Sequence, residues 1–176
     1  MSTKPDRRAA ANLYTPEQRL RRDKSPWTVV QGVLAPLQFL VFLVSVALVI
    51  RYLTSGVGAE AAHLSIIIKT GVLYLIMVTG AIWEKDVFGR YLFAPVFFWE
   101  DVFSMLVLAL HTLYLAVIAF NLADTRTAMW IALAAYGAYV INAVQFVWKL
   151  RQARLQSRAM LEPPHTNMSA AAGSVR

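Results

Sequence analysis

Residues 28–50 read TVVQGVLAPLQFLVFLVSVALVI, a run of 23 residues that contains no acidic or basic side chain. About 20 apolar residues in a helix are enough to cross the hydrocarbon layer of a membrane. The run follows 27 mostly polar residues, and no small-residue cleavage pattern comes after it, so it does not resemble a signal peptide. It therefore predicts a transmembrane helix that is retained.

Three further runs, 64–83, 102–120 and 128–148, have a similar length and character, and Lys69 is the only charged side chain in all four runs. The whole chain is 58% apolar and 15% charged, whereas an average soluble domain is about 45–50% apolar and 25% charged. The sequence thus predicts an all-α protein, an integral membrane four-helix bundle over residues 27–150. A soluble domain with one core is excluded.

The orientation of the helices follows from the distribution of Lys and Arg. Seven precede Trp27, two lie between the second and third runs, and five occur from Lys149 onward, against one in each of the other two connections. Because cytoplasmic connections are enriched in Lys and Arg, both termini and the middle connection are predicted to be cytoplasmic. All five tryptophans lie at the ends of the runs, where aromatic belts form: Trp27, Trp83, Trp99, Trp130 and Trp148.

The segments that flank the bundle have a different character. Within residues 1–26, Thr15 is suited to cap a helix that Pro16 begins, so a short interfacial helix is predicted in this cytoplasmic segment. Residues 151–176, like residues 1–12, are predicted to be mostly disordered, and they form a cytoplasmic tail. The net charge of +7 is explained by orientation and by contact with anionic lipid, so no nucleic acid partner is expected.

Metal and cofactor chemistry is limited by the residue types present. The chain has no cysteine, which excludes thiolate-bound zinc, iron–sulfur clusters and a cysteine nucleophile. His111 is the only histidine within a span, so a pair of axial haem ligands is missing there. It could still bind a metal, titrate or serve as a buried hydrogen-bonding residue. Lys69, near the outer end of the second span, is expected to reach the membrane interface and to be structural.

Each predicted span carries a stripe of polar residues. The stripes comprise Gln31, Gln38 and Ser45; Thr70, Tyr74 and Glu84; Glu100, Ser104 and His111; and Tyr139, Asn142, Gln145 and Lys149. Polar groups are costly within a bilayer, so four converging stripes predict an interior cavity. For Gln38, Ser45 and Asn142, simple hydrogen bonds between helices are the alternative.

The connection between the second and third spans is unusually aromatic. Residues 83–101 read WEKDVFGRYLFAPVFFWED and carry four of the ten acidic residues. The segment is predicted to lie back over the mouth of the bundle, and its two Trp-Glu pairs would bring Glu84 and Glu100 together. For Glu100 and Asp101 a role at a helix N-terminus is an alternative. Glu84 lies at a helix C-terminus, where the dipole is unfavourable for an acid, which favours a functional role.

Several runs of this sequence are characteristic of one family. They are LYTPEQR at 13–19, SPWTVVQGVLAPLQFL at 25–40, IWEK at 82–85, FGRYLFAP at 88–95, and the segment from FFWED at 97–101 to HT at 111–112. In this order they resemble the 3-vinyl bacteriochlorophyllide hydratases of phototrophic bacteria, also named 2-vinyl bacteriochlorophyllide hydratases. The likeness covers about residues 13–155.

The resemblance implies a lyase of bacteriochlorophyll biosynthesis. Such an enzyme adds water to the 3-vinyl group of a chlorophyllide or bacteriochlorophyllide and gives a 3-(1-hydroxyethyl) group. It would be a multi-pass protein of the bacterial inner membrane, either cytoplasmic or intracytoplasmic and photosynthetic. Its partners would be the pigment substrate, membrane lipid and other pigment-biosynthesis enzymes. No cofactor and no metal of its own are expected.

Hydration needs an acid that protonates the terminal vinyl carbon and a base that takes a proton from water. A carboxyl group stays protonated when an apolar mouth desolvates it. The candidates are Glu84 and Glu100, with Asp101 in reserve and the order of acid and base open. His111 is the alternative, either as a ligand of the substrate magnesium or as the proton donor when the vinyl group points inward.

Substrate binding is expected to use a cation for the propionate and aromatic or amide groups for the macrocycle. Arg90 is the first choice for the propionate and Lys85 the weaker one; the other candidates are Trp83, Trp99, Tyr91 and Gln38. An alternative function is a non-catalytic tetrapyrrole-binding or pigment-handling membrane protein. A small proton-coupled transporter is a third reading, for which only Lys69 and His111 are available.

Overall fold

The computed structural model of the chain describes residues 13–161, with the backbone alone at 153 and at 156–161. Over that range the chain is all-helical and contains no strand. Its five helices are α1 (Pro16–Lys24), α2 (Pro26–Ser55), α3 (Ala59–Phe88), α4 (Phe98–Ala119) and α5 (Thr125–Leu161). Helices α2 to α5 are long and apolar enough to cross a membrane, which confirms the prediction of four membrane-length helices.

The helices extend beyond the apolar runs that predicted them. α5 continues past residue 150, the predicted end of the membrane domain, to Leu161. Residues 151–161 are therefore helical and do not belong to an irregular tail; the Arg, Gln and Leu residues there favour helix even in a polar environment. Residues 1–12 and 162–176, for which disorder was predicted, lie outside the described residues.

Helix α1 has the N-terminal cap that the sequence predicted. The Gln18 backbone N–H donates to the Thr15 hydroxyl oxygen at 3.2 Å, and the Thr15 N–H donates to the Gln18 side-chain oxygen at 3.0 Å. These reciprocal bonds satisfy two N–H groups that a helix start leaves free. Pro16 begins the helix, and none of its residues is buried. Its position on a membrane surface stays a prediction.

The four long helices alternate in direction. Gln31 of α2 donates to Thr79 of α3 at 2.8 Å, and Ser45 and Ser65 of the same helices are 2.7 Å apart. The residue number increases along α2 while that of the partner decreases along α3, which is the pattern of two antiparallel helices. As a consequence α1, the 89–97 connection and the last turns of α5 lie together, and we call this the α1 end of the bundle. Connections 56–58 and 120–124 lie at the opposite end.

Lys69 does not reach the membrane interface, and that prediction is wrong. Its side chain is fully buried, and at 1.5 Å per residue it lies about 15 Å from the start of α3. The Lys69 Nζ lies 2.9 Å from the His111 Nε2 and 4.3 Å from the centre of the Tyr139 ring. Lys69 points into the bundle because it shares the buried face of α3 with Ile66 and Leu73.

The polar stripes of the four long helices point inward as predicted, with one exception. Ser45 bonds to the Tyr136 hydroxyl at 2.5 Å, and Asn142 donates to Ser104 at 2.8 Å, so these groups link helices. Gln38 is 2% exposed, and neither polar atom of its amide has a hydrogen-bond partner among the described residues. Tyr74 is the exception, since it lies off the buried face and is 37% exposed.

Candidate active site

The 89–97 connection folds back over the α1 end of the bundle, as the sequence predicted. The backbone N–H of Phe93 donates to the Asp101 carboxylate at 2.7 Å, and the N–H of Ala94 donates to the Glu84 carboxylate at 3.2 Å. Phe93 has a φ of 58°, which is unfavourable for a residue with a Cβ atom. This left-handed turn directs two consecutive N–H groups toward the acids at the ends of α3 and α4.

Glu84 and Asp101 form a pair. Both side chains are buried, and they accept the N–H groups of the consecutive residues Phe93 and Ala94, which places their carboxyl groups next to each other. Two adjacent carboxylates repel each other when both are ionised, and burial adds to the cost of their charge. A buried pair of carboxyl groups is therefore suited to retain a proton, as a general acid must.

Glu84 thus meets Asp101 and not Glu100, the partner expected from the Trp-Glu pairs. Successive residues of a helix point about 100° apart, so Glu100 and Asp101 cannot both face α3. Glu100 instead accepts a hydrogen bond from the Lys149 ammonium of α5 at 2.7 Å. The spacing of the two Trp-Glu motifs in the sequence does not determine how α4 is rotated about its axis, and this rotation decides which acid faces α3.

Lys149 is the site residue that sequence reasoning did not select. Its Nζ donates to Glu100 and to the Val96 carbonyl, and it lies 5.0 Å from the centre of the Phe97 ring. The ion pair places a carboxylate with its own cation close to the Glu84–Asp101 pair. A signal for it was present, because Lys149 ends the polar stripe of the fourth span at the level where the third span begins.

An aromatic cluster supports the 89–97 connection from the side of α1. Tyr14 is buried and stacks on Phe88 with ring centres 5.8 Å apart, while the Arg22 guanidinium lies 4.9 Å above the Tyr14 ring. Burial raises the pKa of Tyr14 above its ordinary value of 10.0, although Arg22 acts in the opposite direction. Trp83 packs on Phe88, and Tyr14 is therefore a neutral anchor for α1.

The substrate-binding candidates of the sequence are scattered. Trp83 is half-buried and donates its ring N–H to Thr28 at 2.9 Å, whereas Trp99 is 66% exposed. Arg90 is exposed on the connection, and Tyr91 lies under the Lys85 ammonium at 4.3 Å. Gln38 is buried deeper in the bundle. The structure therefore does not gather these candidates at one surface.

His111 lies far from the carboxyl groups. It is fully buried and follows Glu100 along α4 by about 16 Å at 1.5 Å per residue. Its Nε2 contacts Lys69, and its Nδ1 lies 2.8 Å from the Val107 carbonyl. Both ring nitrogens are thus engaged within the protein. Among the described residues, no group of three His, Cys, Asp or Glu side chains is arranged to hold a metal ion.

Two grooves open on the surface near Glu100. The first has a volume of about 310 Å³, and its lining includes Glu100, Gln145 and Lys149. The second, of about 300 Å³, is lined mainly by apolar side chains of α5. Val144 and Trp148 line both grooves. Of the three carboxyl groups, Glu100 lines the first groove.

Fold and site together define an all-helical, multi-pass membrane protein with a carboxyl cluster at one end of its bundle. A family model described as 2-vinyl bacteriochlorophyllide hydratase matches residues 14–152, so the chain belongs to this family, as its sequence runs indicated. No solved structure matches the chain.

Two relatives are similar over most of the chain. The 2-vinyl bacteriochlorophyllide hydratase of Rhodobacter capsulatus is 62% identical over 157 residues, which cover 89% of this chain and 91% of that protein. The protein of the same name from Cereibacter sphaeroides is 65% identical over 147 residues, which cover 84% of this chain and 91% of that protein.

Proposed function

We infer that this chain is a hydro-lyase that adds water to the vinyl group of a bacteriochlorophyllide during bacteriochlorophyll biosynthesis. Membership of the hydratase family supports the reaction. The observation that supports the site is the buried Glu84–Asp101 pair, held by two backbone N–H groups, next to the ion-paired Glu100. An acid and a base are both required for hydration, and this arrangement supplies them side by side.

The first step is protonation of the vinyl group. The protonated carboxyl of the Glu84–Asp101 pair gives its proton to the terminal carbon, and the π electrons of the double bond form the new C–H bond. The positive charge remains on the internal carbon, where conjugation with the macrocycle stabilises it. The backbone N–H groups of Phe93 and Ala94 stabilise the carboxylate that is left behind.

The second step is attack by water on the internal carbon. Glu100 accepts one proton as the water oxygen forms the C–O bond, and Lys149 orients this carboxylate. The Gln145 side-chain oxygen is buried without a partner among the described residues, and it offers the water a second acceptor. Transfer of the proton from Glu100 to the neighbouring Asp101 resets the site. One water is added, and no electron is transferred.

The engagement of both His111 nitrogens favours this carboxyl site over a pose that uses His111. A vinyl group at His111 would have to displace Lys69 or the Val107 carbonyl from the ring. A bond from His111 to the substrate magnesium would require the same displacement.

Hydration is expected when membranes that contain the full chain are incubated with a vinyl bacteriochlorophyllide. The pigment should gain the mass of one water, and in ¹⁸O-labelled water the label should enter the product. A matched pigment with an ethyl group in place of the vinyl group should remain unchanged. Recovery of the vinyl pigment bound but unaltered would contradict the enzyme and favour the non-catalytic tetrapyrrole-binding protein.

The α1 end of the bundle is proposed to face the cytoplasm from a bacterial inner membrane. Fourteen Lys and Arg residues flank the spans at this end and two at the opposite end, which supports the orientation. Lipid and other enzymes of pigment biosynthesis are proposed partners at this face.

Reporter fusions test the orientation directly. Fusions after Gly58 and after Asp124 should report the side opposite to a fusion at the C-terminus. A reporter after Gly58 on the same side as the C-terminus would contradict the four-span arrangement.

A further inference from the structure

The cytoplasmic half of α5 presents an exposed ridge between two grooves. Val144 and Trp148 form this ridge, being 60% and 63% exposed, and they line the grooves on both sides. One side leads toward Glu100 of α4, and the other leads toward Phe39 of α2. Since the two grooves share these residues, they form one continuous surface along α5, which we call the α5 surface.

The chemistry of the α5 surface changes along its length. Phe39 and Tyr139 line the part farthest from the α1 end, Trp148 lies one helical turn before Arg151, and Arg151 lies at the α1 end. Glu100 borders the same surface on the α4 side. An apolar and aromatic face thus has one cation at its end and a catalytic carboxylate at its edge.

A bacteriochlorophyllide has complementary chemistry. Its macrocycle is planar and apolar, one propionate carries a negative charge, and the vinyl group lies on the ring periphery. We propose that the pigment binds against the α5 surface, with Trp148 under the macrocycle and Arg151 bound to the propionate. This binding site rests on the proposed function and adds the location and the residue that fixes the charged end of the substrate.

Arg151 fits this role better than Arg90, the first choice from sequence, and better than Lys149, the cation next to Glu100. Arg90 is exposed on the 89–97 connection and lines neither groove. Lys149 is committed to Glu100 and the Val96 carbonyl. Arg151 lines the second groove, and a guanidinium can bind a carboxylate through two parallel hydrogen bonds.

The orientation of the pigment follows from these contacts. A propionate on Arg151 stays at the level of the membrane interface, where its charge is solvated, while the apolar ring lies along the part of α5 that spans the membrane. The ring edge then approaches Glu100 from the first groove. The pigment can enter sideways from the bilayer, since the ridge is exposed on the outside of the bundle.

The charge on Arg151 can be tested with two forms of one substrate. Full-length protein in lipid nanodiscs would be titrated with a vinyl bacteriochlorophyllide as the free acid and as its propionate methyl ester. Arg151→Gln should raise the Kd of the free acid by roughly tenfold, as expected for loss of a charge-assisted hydrogen bond. It should leave the Kd of the methyl ester within twofold of that of the wild-type protein.

Matched variants separate this contact from a general loss of positive charge. Arg154 is an exposed arginine of α5 that lines neither groove, so Arg154→Gln should bind both pigments normally. Trp148→Ala should weaken the acid and the ester by the same factor, because it removes only apolar contact. Trp130, which is 57% exposed at the opposite end, provides the control Trp130→Ala, and this variant should not weaken either pigment.

Two results would overturn the α5 surface as the pigment site. One is unchanged binding of the free acid by both Arg151→Gln and Trp148→Ala, which would indicate that lipid chains and not the pigment occupy the grooves. The other is that Arg151→Gln changes the Kd of the free acid and of the methyl ester by the same factor, whereas Arg90→Gln raises only the Kd of the free acid. Failure of the wild-type protein to hydrate the vinyl group would contradict the proposed function separately, because binding is measured without turnover.

Discussion

Glu84→Gln and Asp101→Asn are each expected to slow vinyl hydration by roughly 10²- to 10⁴-fold per folded molecule, the usual contribution of a general acid. Either amide removes the proton that the pair shares, while it keeps the size of the side chain. An amide oxygen can still accept the N–H of Ala94 or Phe93. The variants should therefore insert into the membrane and bind pigment, and mass spectrometry of the pigment gives the rate.

The double variant and a nearby acid sharpen this test. Because the proposed mechanism uses one proton held between the two carboxyls, Glu84→Gln combined with Asp101→Asn should be little slower than the slower single variant. Asp86 is an exposed acid two residues from Glu84, so Asp86→Asn should hydrate at the wild-type rate. If the acids were only structural, the amount of folded protein would fall and the turnover per molecule would not. Wild-type rates in both single variants would refute the site and make His111 the next residue to change.

The helices of this protein could be predicted from sequence because each span is a mainly apolar run almost free of charged side chains. Only Lys69 breaks the pattern, and the cost of exposing backbone polar groups to lipid leaves helix as the favoured structure. The end of α5 was less predictable, because hydropathy reports where the membrane ends and not where the helix ends. Arg151 and Arg154 continue the helix without contributing to an apolar run.

The pairing of side chains could be predicted only in part. Sequence placed Glu84, Glu100 and Asp101 at neighbouring helix ends, which is correct, but it could not tell which acid of α4 faces α3. That choice depends on the rotation of α4 about its axis. The left-handed backbone conformation of Phe93 directs the N–H groups toward the acids. Phenylalanine rarely adopts this conformation, so the residue type does not indicate it.

Lys69 shows the same limit inside the bundle. A lysine in a span is usually expected to reach the membrane interface with its long side chain. The residues next to Lys69 in the sequence do not contradict that expectation. Its actual partner, His111, lies 42 positions away. The two side chains meet only because α3 and α4 pack with these faces together, so neither hydropathy nor spacing could reveal the pair.

The contact between Lys69 and His111 should make an unequal contribution to stability when one partner is removed. His111→Leu leaves the buried Lys69 amine without its nitrogen acceptor, which should lower the free energy of unfolding by about 3 kcal/mol or more, because an unsatisfied buried group that can carry charge costs more than a neutral one. Lys69→Met leaves only a neutral ring nitrogen without a partner, at a cost of about 1–3 kcal/mol. Equilibrium unfolding in detergent micelles would measure both values.

The double variant Lys69→Met with His111→Leu should recover most of the stability, because apolar side chains of similar volume often replace a buried polar pair at little cost. Ser104 lies on the same face of α4, and the Asn142–Ser104 hydrogen bond gives a control pair that should not interact energetically with Lys69.

The carboxyl site lies about 16 Å along α4 from His111, so Lys69→Met should hydrate vinyl pigment at the wild-type turnover per folded molecule. Additive losses in the double variant would show that the two side chains act independently. A large fall in the turnover of stable Lys69→Met would mean that the pair belongs to the catalytic machinery.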